Sequence, residues 1–155
     1  MIDGMRVENI EKMEELMPLI VESLQSGQSI RFSPRGVSML PMIRQGIDTV
    51  VISPVVEKLR KYDIPLYKRD DGKYVLHRVV GVSNTYTCIG DNQFVRESGI
   101  RHDQLVAVVT AFYRGEKACS VKHPLYRIYC HLWHWTRPMR HFLRRAKRWI
   151  RRQLL

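Results

Sequence analysis

No Asp or Glu follows Glu116 in this chain of 155 residues. Residues 122–155 carry 10 Lys and Arg, whereas residues 1–121 hold 16 Lys and Arg against all 15 Asp and Glu, a net of +1. The overall charge of +11 therefore belongs to the C-terminal tail and implies nothing about the partners of the region before it. Cysteine is also scarce. Cys88, Cys119 and Cys130 are an odd number, and no pair has metal-ligand spacing, which points to unpaired thiols in a reducing compartment. No apolar run approaches the ~20 residues of a membrane-spanning helix. The start, MIDGMRVENIEKMEELM, is acidic and amphipathic and lacks the basic start and apolar stretch of an export signal. The expected location is cytoplasmic, with peripheral contact at the inner face of the membrane through the basic tail. Repeats and low-complexity tracts are missing too, and a hydrophobic content of 45% suits one compact core.

The patterning divides the chain into three parts. In the first, residues 1–28, the apolar residues Ile10, Met13, Met17, Ile20, Val21 and Leu24 fall on one helical stripe between Val7 and Ser26. Gly27 is the expected stop, and Pro18 is expected to kink or divide the helix. Residues 29–121 read as short β-rich runs: SIRFSP, DTVVISP, IPLYKR, YVLHRVVGV, TYTCIG and QLVAVVTAFYR. Turn signals separate them at 34–36, 70–72 and 83–84. The expectation is a mainly β domain with flanking helices, built as a coiled sheet or partial barrel. In residues 122–155, Leu125, Ile128, Leu132, Trp135, Met139, Phe142, Ala146 and Trp149 recur at spacings of three and four. This predicts a basic amphipathic helix, broken near Pro138.

Three segments could carry chemistry. Ser38 lies between a turn and a short apolar segment in Gly36-Val-Ser-Met-Leu-Pro41. A serine hydroxyl is a poor nucleophile until a base takes its proton. His77 lies within YVLHRVVGV, where strand alternation predicts one face shared with Val75 and Val79, opposite Leu76, Arg78 and Val80. A histidine held by a sheet can serve as a base, although a strand histidine is more commonly structural. Cys88-Ile-Gly-Asp-Asn92 ends a strand in a turn, and it offers Asp91, with Glu97 beyond it, to orient an imidazole.

The order of these segments resembles the signal peptidase I family over about residues 30–115. Ser38, Met39 and Pro41 match its Ser-Met-x-Pro box; Gly46-Ile-Asp48-Thr-Val50 approximates the next element. Tyr62-Asp63-Ile64-Pro65 echoes a third element but lacks its glycine. Leu76-His77-Arg78-Val79 is similar to the histidine box of the endoplasmic-reticulum and archaeal type, and Gly90-Asp91-Asn92 matches the last box. The same fold is shared with LexA-like self-cleaving repressors, whose base is lysine; His77 speaks against that branch, as does the lack of a DNA-binding helix-turn-helix before Ser29. The resemblance implies a serine endopeptidase with Ser38 as nucleophile, His77 as general base and Asp91 or Glu97 as its orienting acid. It also implies substrate contacts at Gly36, Val37, Met39, Pro41 and Val75, a peptide or protein substrate, and no metal or organic cofactor. Gly36 occupies the place of a family serine that helps to bind the oxyanion, and the family's membrane-spanning helix before the serine box is missing.

Two alternatives stand beside the enzyme: an inactive peptide-binding protein of the same fold, and a nucleic-acid-binding protein acting through the tail. For residues 122–155 the candidate partners are an anionic membrane surface, the domain itself or a second subunit, and nucleic acid, for which no recognition module is present. His131 and His134 lie three apart without a carboxylate or cysteine nearby, which argues against a metal site.

Overall fold

The computed structural model describes residues 13–153. The start of the predicted N-terminal helix, with Val7 and Ile10, lies outside the described residues. Helix α1 (Met13–Gln25) buries Met17, Ile20 and Leu24 and partly covers Leu16 and Val21, the face expected from the apolar spacing. The helix runs on through Pro18 without dividing. Burial of three large side chains, at about 1.5–3 kcal/mol each, outweighs the roughly 3 kcal/mol cost of an interior proline. Gly27 ends the helix with φ of 80°, and the Gln28 N–H closes onto the Ser23 carbonyl at 3.1 Å. Only glycine adopts that left-handed stop without strain.

Nine strands follow among the described residues: β1 (Ile30–Phe32), β2 (Asp48–Ser53), β3 (Pro65–Lys68), β4 (Tyr74–Leu76), β5 (Arg78–Val82), β6 (Tyr86–Ile89), β7 (Glu97–Ile100), β8 (Leu105–Arg114) and β9 (Lys117–Ser120). They form two antiparallel sheets. The larger has the order β1-β2-β8-β3-β4, with β9 also paired to β8; the smaller has the order β5-β6-β7. The main core lies between α1, the larger sheet and the first tail helix, and includes Phe32, Val50, Ile52, Ile64 and Val109. A second cluster of Leu59, Tyr67, Val79, Tyr86, Cys88 and Ile100 joins the smaller sheet to the larger.

Each of the six β-rich runs contributes a strand. Strands β7 and β9 were not expected from the pattern; both are only four residues long and mostly polar or exposed, so pairing with β6 and β8 decides them. The run YVLHRVVGV is not one strand. β4 pairs with β3 in the larger sheet, β5 pairs with β6 in the smaller one, and His77 sits at the crossing. Strict alternation fails there for that reason. His77 and Arg78 are consecutive, yet both are only 2% exposed, because the chain enters a second interior as it leaves the first.

The tail forms α2 (Pro124–Trp135) and α3 (Arg137–Gln153), and the break falls at Thr136, two residues before Pro138. His123 caps α2 by accepting the Leu125 N–H on its Nδ1 at 3.2 Å, and Pro124 occupies the first turn. Tyr126 and Cys130 of α2 belong to the main core, so the sequence boundary at 121/122 separates elements that fold together. No helix among the described residues is long and apolar enough to cross a membrane.

Tyr62 has φ of 80°, a conformation costly for a residue with a Cβ. The backbone is pinned on both sides, with Tyr62 N–H to the Val79 carbonyl and Val79 N–H to the Asp63 carbonyl, each at 2.8 Å. The ring packs edge-on to His131 of α2, and the hydroxyl lies 3.3 Å from His131 Nδ1. Tyr62→Gly and Tyr62→Ala both lose the ring, but only glycine relieves the backbone. In urea denaturation, Tyr62→Gly is expected to be more stable than Tyr62→Ala by about 1 kcal/mol.

Candidate active site

Ser38 lies on the connection between β1 and β2. The segment coils into a tight turn, with Leu40 N–H to the Val37 carbonyl at 3.3 Å and Ile43 N–H to the Met39 carbonyl at 3.0 Å. Met39, Met42 and Ile43 anchor it in the main core, so the turn is fixed by packing below and bonding within. The Gly90-Asp91-Asn92 turn holds it from the other side. Asn92 donates its backbone N–H to the Ser38 carbonyl at 2.8 Å and its side-chain amide to the Val37 carbonyl at 3.0 Å. A Cβ at Gly90 would stand 2.7 Å from the Ser38 carbonyl oxygen, so glycine is what allows this approach.

His77 is positioned through Nδ1. Glu97 Oε1 lies 3.2 Å from that nitrogen and the Tyr67 hydroxyl 3.3 Å from it. Tyr67 donates to Glu97 Oε2 at 2.9 Å, so its oxygen is free to accept, and Nδ1 is the nitrogen that carries hydrogen. Arg69 completes the cluster, with Nε donating to Glu97 Oε2 at 2.8 Å and Nη2 paired with Oε1. Burial acts to raise the Glu97 pKa, but the bonds from Arg69 and Tyr67 and the nearby imidazole outweigh it and hold the carboxyl below its ordinary value. For His77 burial wins. Desolvation lowers its pKa below the usual imidazole value despite the opposing pull of Glu97, with Arg69 adding to the lowering. The lowered pKa favours the neutral imidazole, and Nδ1 is the nitrogen that Glu97 and Tyr67 engage.

Ser38 and His77 line the same cavity of about 200 Å³, which also takes in Gly36, Met39, Val75 and Arg69. Its lining includes the segment 34–36 and β4, an edge strand of the larger sheet. The expected substrate contacts Gly36, Met39 and Val75 all line the cavity, whereas Val37 and Pro41 are exposed and do not line it. The Gly36 N–H is already taken by Gln45 Oε1 at 2.8 Å.

The two candidate acids have separate partners. Glu97 holds His77. Asp91 is bound to Arg78, with Nε to Oδ1 at 2.8 Å and Nη2 to Oδ2 at 2.7 Å, both side chains fully interior. Burial works against the Arg78 charge, but the carboxylate raises its pKa well above the ordinary guanidinium value, so Arg78 keeps its charge. Arg78 Nη1 also donates to the Tyr62 carbonyl at 3.2 Å, the Tyr126 hydroxyl at 2.7 Å and Cys130 Sγ at 3.0 Å. The tail bonds the same loop: Trp133 Nε1 donates to the Asp91 carbonyl at 3.0 Å, and Arg144 donates to the Asn92 carbonyl at 3.1 Å and pairs with Asn92 Oδ1.

Tyr67, Arg69, Arg78 and Asn92 were not assigned roles from the sequence. Tyr67 and Arg69 are two apart near the end of β3, and strand periodicity was the available signal for a shared face. Arg78 and Asn92 lie inside quoted boxes, but nothing in the order of residues says whom they bind. Cys88 is buried, and burial pushes its thiol up to about 12, so it is no competing nucleophile. Among the described residues no group of three His, Cys, Asp or Glu is placed to hold a metal ion.

Removing one member of a buried ion pair leaves the other charge uncompensated. Asp91→Ala is therefore expected to destabilise the fold by about 3–5 kcal/mol in chemical denaturation. Glu97 is itself partly exposed and its charged partner Arg69 reaches solvent, so Glu97→Ala is expected to cost less, about 1–2 kcal/mol. Comparison of the chain with protein-family models, with curated proteins and with solved structures found no match in any of the three.

Proposed function

We propose that this protein is a serine endopeptidase with a signal-peptidase-like catalytic fold, in which Ser38 is the nucleophile, His77 the general base and Glu97 the group that orients it. One observation carries the reading: Ser38 and His77 line one cavity while the other nitrogen of His77 is held by an ionised carboxylate. A triad needs a nucleophile beside a base whose far nitrogen is oriented by an acid, and these two features support that assignment. Asp91, the other acid considered for this role, acts through Arg78 as a structural support.

In the proposed reaction an extended peptide lies along β4, adding a strand to that free edge, with segment 34–36 also lining the cavity. His77 Nε2 takes the Ser38 proton as Oγ attacks the scissile carbonyl carbon. The resulting oxyanion is met by the backbone N–H of Ser38, because Gly36 supplies no hydroxyl and its own N–H is engaged by Gln45. His77 then gives its proton to the leaving amine as the C–N bond breaks. A water, deprotonated by the same nitrogen, cleaves the acyl-enzyme and releases the carboxylic acid and Ser38. The neutral resting state of His77 suits the first step, and Glu97 stabilises the imidazolium that follows. Tyr67 and Arg69 keep Glu97 in place and ionised. The substrate is a peptide or protein precursor, and a fluorophosphonate probe that reports on activated serines supplies a readout independent of its identity.

Ser38→Ala and His77→Ala are each expected to abolish probe labelling and peptide cleavage while the chain still folds, with a lowered melting temperature for the buried His77→Ala; full activity in either variant rejects the dyad. The base works only when neutral, so activity is lost as pH falls through the His77 pKa. Because burial lowers that pKa, the acid limb of kcat/KM is expected below the reference of about 6.5, with a plateau above it. Glu97→Gln removes the strongest group favouring the imidazolium. It is expected to reduce kcat about 10²-fold or more and to move the acid limb to still lower pH.

A further inference from the structure

The two tail helices present opposite faces to opposite surroundings. Inward, α2 places Tyr126 and Cys130 in the core and Trp133 on the Asp91 carbonyl, and α3 places Arg140 on Trp133 and Arg144 on Asn92. Outward, α2 carries Leu125, Leu132 and Trp135, and α3 carries Met139, Phe142 and Trp149, each more than half exposed. At 3.6 residues per turn these positions follow one line along each helix, and the inward residues lie on the other side. The packing thus uses a stripe other than the one that dominates the sequence pattern. A groove of about 480 Å³ between Phe142, Ala146 and Trp149 continues the apolar line along α3.

Charge selects the occupant of this face. Along α3, exposed Arg145 and Arg152 border the apolar line, Lys147, Arg148 and Arg151 are exposed on the polar side, and residues 122–155 contain no acid. A second copy laid stripe to stripe would bring two strongly basic helices together with no carboxylate between them. The surface of an anionic bilayer supplies both requirements at once, acyl chains for the aromatic and aliphatic line and phosphate headgroups for its basic borders.

We propose that α2 and α3 form an interfacial seat that lays the line from Leu125 to Trp149 into an anionic lipid surface. The seat does not depend on the peptidase reading. Its inner face bonds Asp91 and Asn92, so docking would hold the Ser38 cavity in a fixed orientation to the bilayer.

The full chain is tested by co-sedimentation with vesicles of phosphatidylcholine alone or mixed with phosphatidylglycerol, with tryptophan emission recorded in parallel. Expected is binding to the mixed vesicles about tenfold or more tighter than to phosphatidylcholine, weakening with salt and accompanied by a blue shift from Trp135 and Trp149. A Phe142→Ser/Trp149→Ser double variant changes only exposed side chains, and its melting curve should match that of the parent. It is expected to lose at least about tenfold in vesicle affinity. Absence of binding to mixed vesicles by the folded full chain overturns the proposal. So does unchanged affinity of the double variant, or a dimer in sedimentation velocity that the same two substitutions dissociate.

Discussion

The buried pair Arg78–Asp91 is the interaction on which the rest of this structure depends. An isolated ionised side chain in the interior is prohibitively costly, so each charge requires the other and every remaining donor requires an acceptor. Arg78 meets that demand by reaching across the molecule to the Tyr62 carbonyl, Tyr126 and Cys130 while binding Asp91 with two nitrogens. The start of β5, the 90–92 turn, the left-handed residue before β3 and helix α2 are thereby fixed to one guanidinium. Such a pair adds little net stability over an apolar replacement, but it specifies one arrangement of its neighbours.

That arrangement is what puts the candidate nucleophile and base in the walls of one cavity. Arg78 is adjacent in sequence to His77, and Asp91 is adjacent to the glycine and asparagine that press on and clamp the Ser38 turn. The two sides of the site are thus positioned from a common point behind it. Glu97 works under a different constraint. It reaches the imidazole from β7 of the smaller sheet and is itself fixed by Tyr67 and Arg69 from the end of β3 in the larger one. Its carboxylate stays charged because these donors outweigh partial burial, whereas His77 is deep enough for burial to decide its proton affinity. The opposite outcomes for the two groups are what a neutral base beside an ionised orienting acid requires.

The tail joins this network from the outside. Its helices satisfy groups of the 90–92 turn with Trp133 and Arg144 and fill the core with Tyr126 and Cys130, which leaves the most regular apolar line uncovered. Amphipathic periodicity identifies which residues share a face, and it is silent on which face meets the protein. A helix with two usable faces is decided by the complementarity of the surface it lands on.

Local patterning along the chain accounts for the α1 face that enters the core, the Gly27 stop, the position of most strands and the alternating line of the tail. These depend on local periodicity and backbone preference, which act over a few residues. It also placed Ser38 and His77 in separate candidate segments. Long-range packing makes the YVLHRVVGV run change sheets at His77, sets Glu97 and not Asp91 against the imidazole, and leaves Val37 and Pro41 outside the cavity. Those outcomes turn on which of two nearby partners a charge or a backbone group meets. Six positions separate Asp91 from Glu97, yet one is buried against Arg78 and the other lies on edge strand β7 beside His77, and no periodicity distinguishes them. A buried charge is assigned by the partner that satisfies it, and that partner is brought near only when the chain has folded.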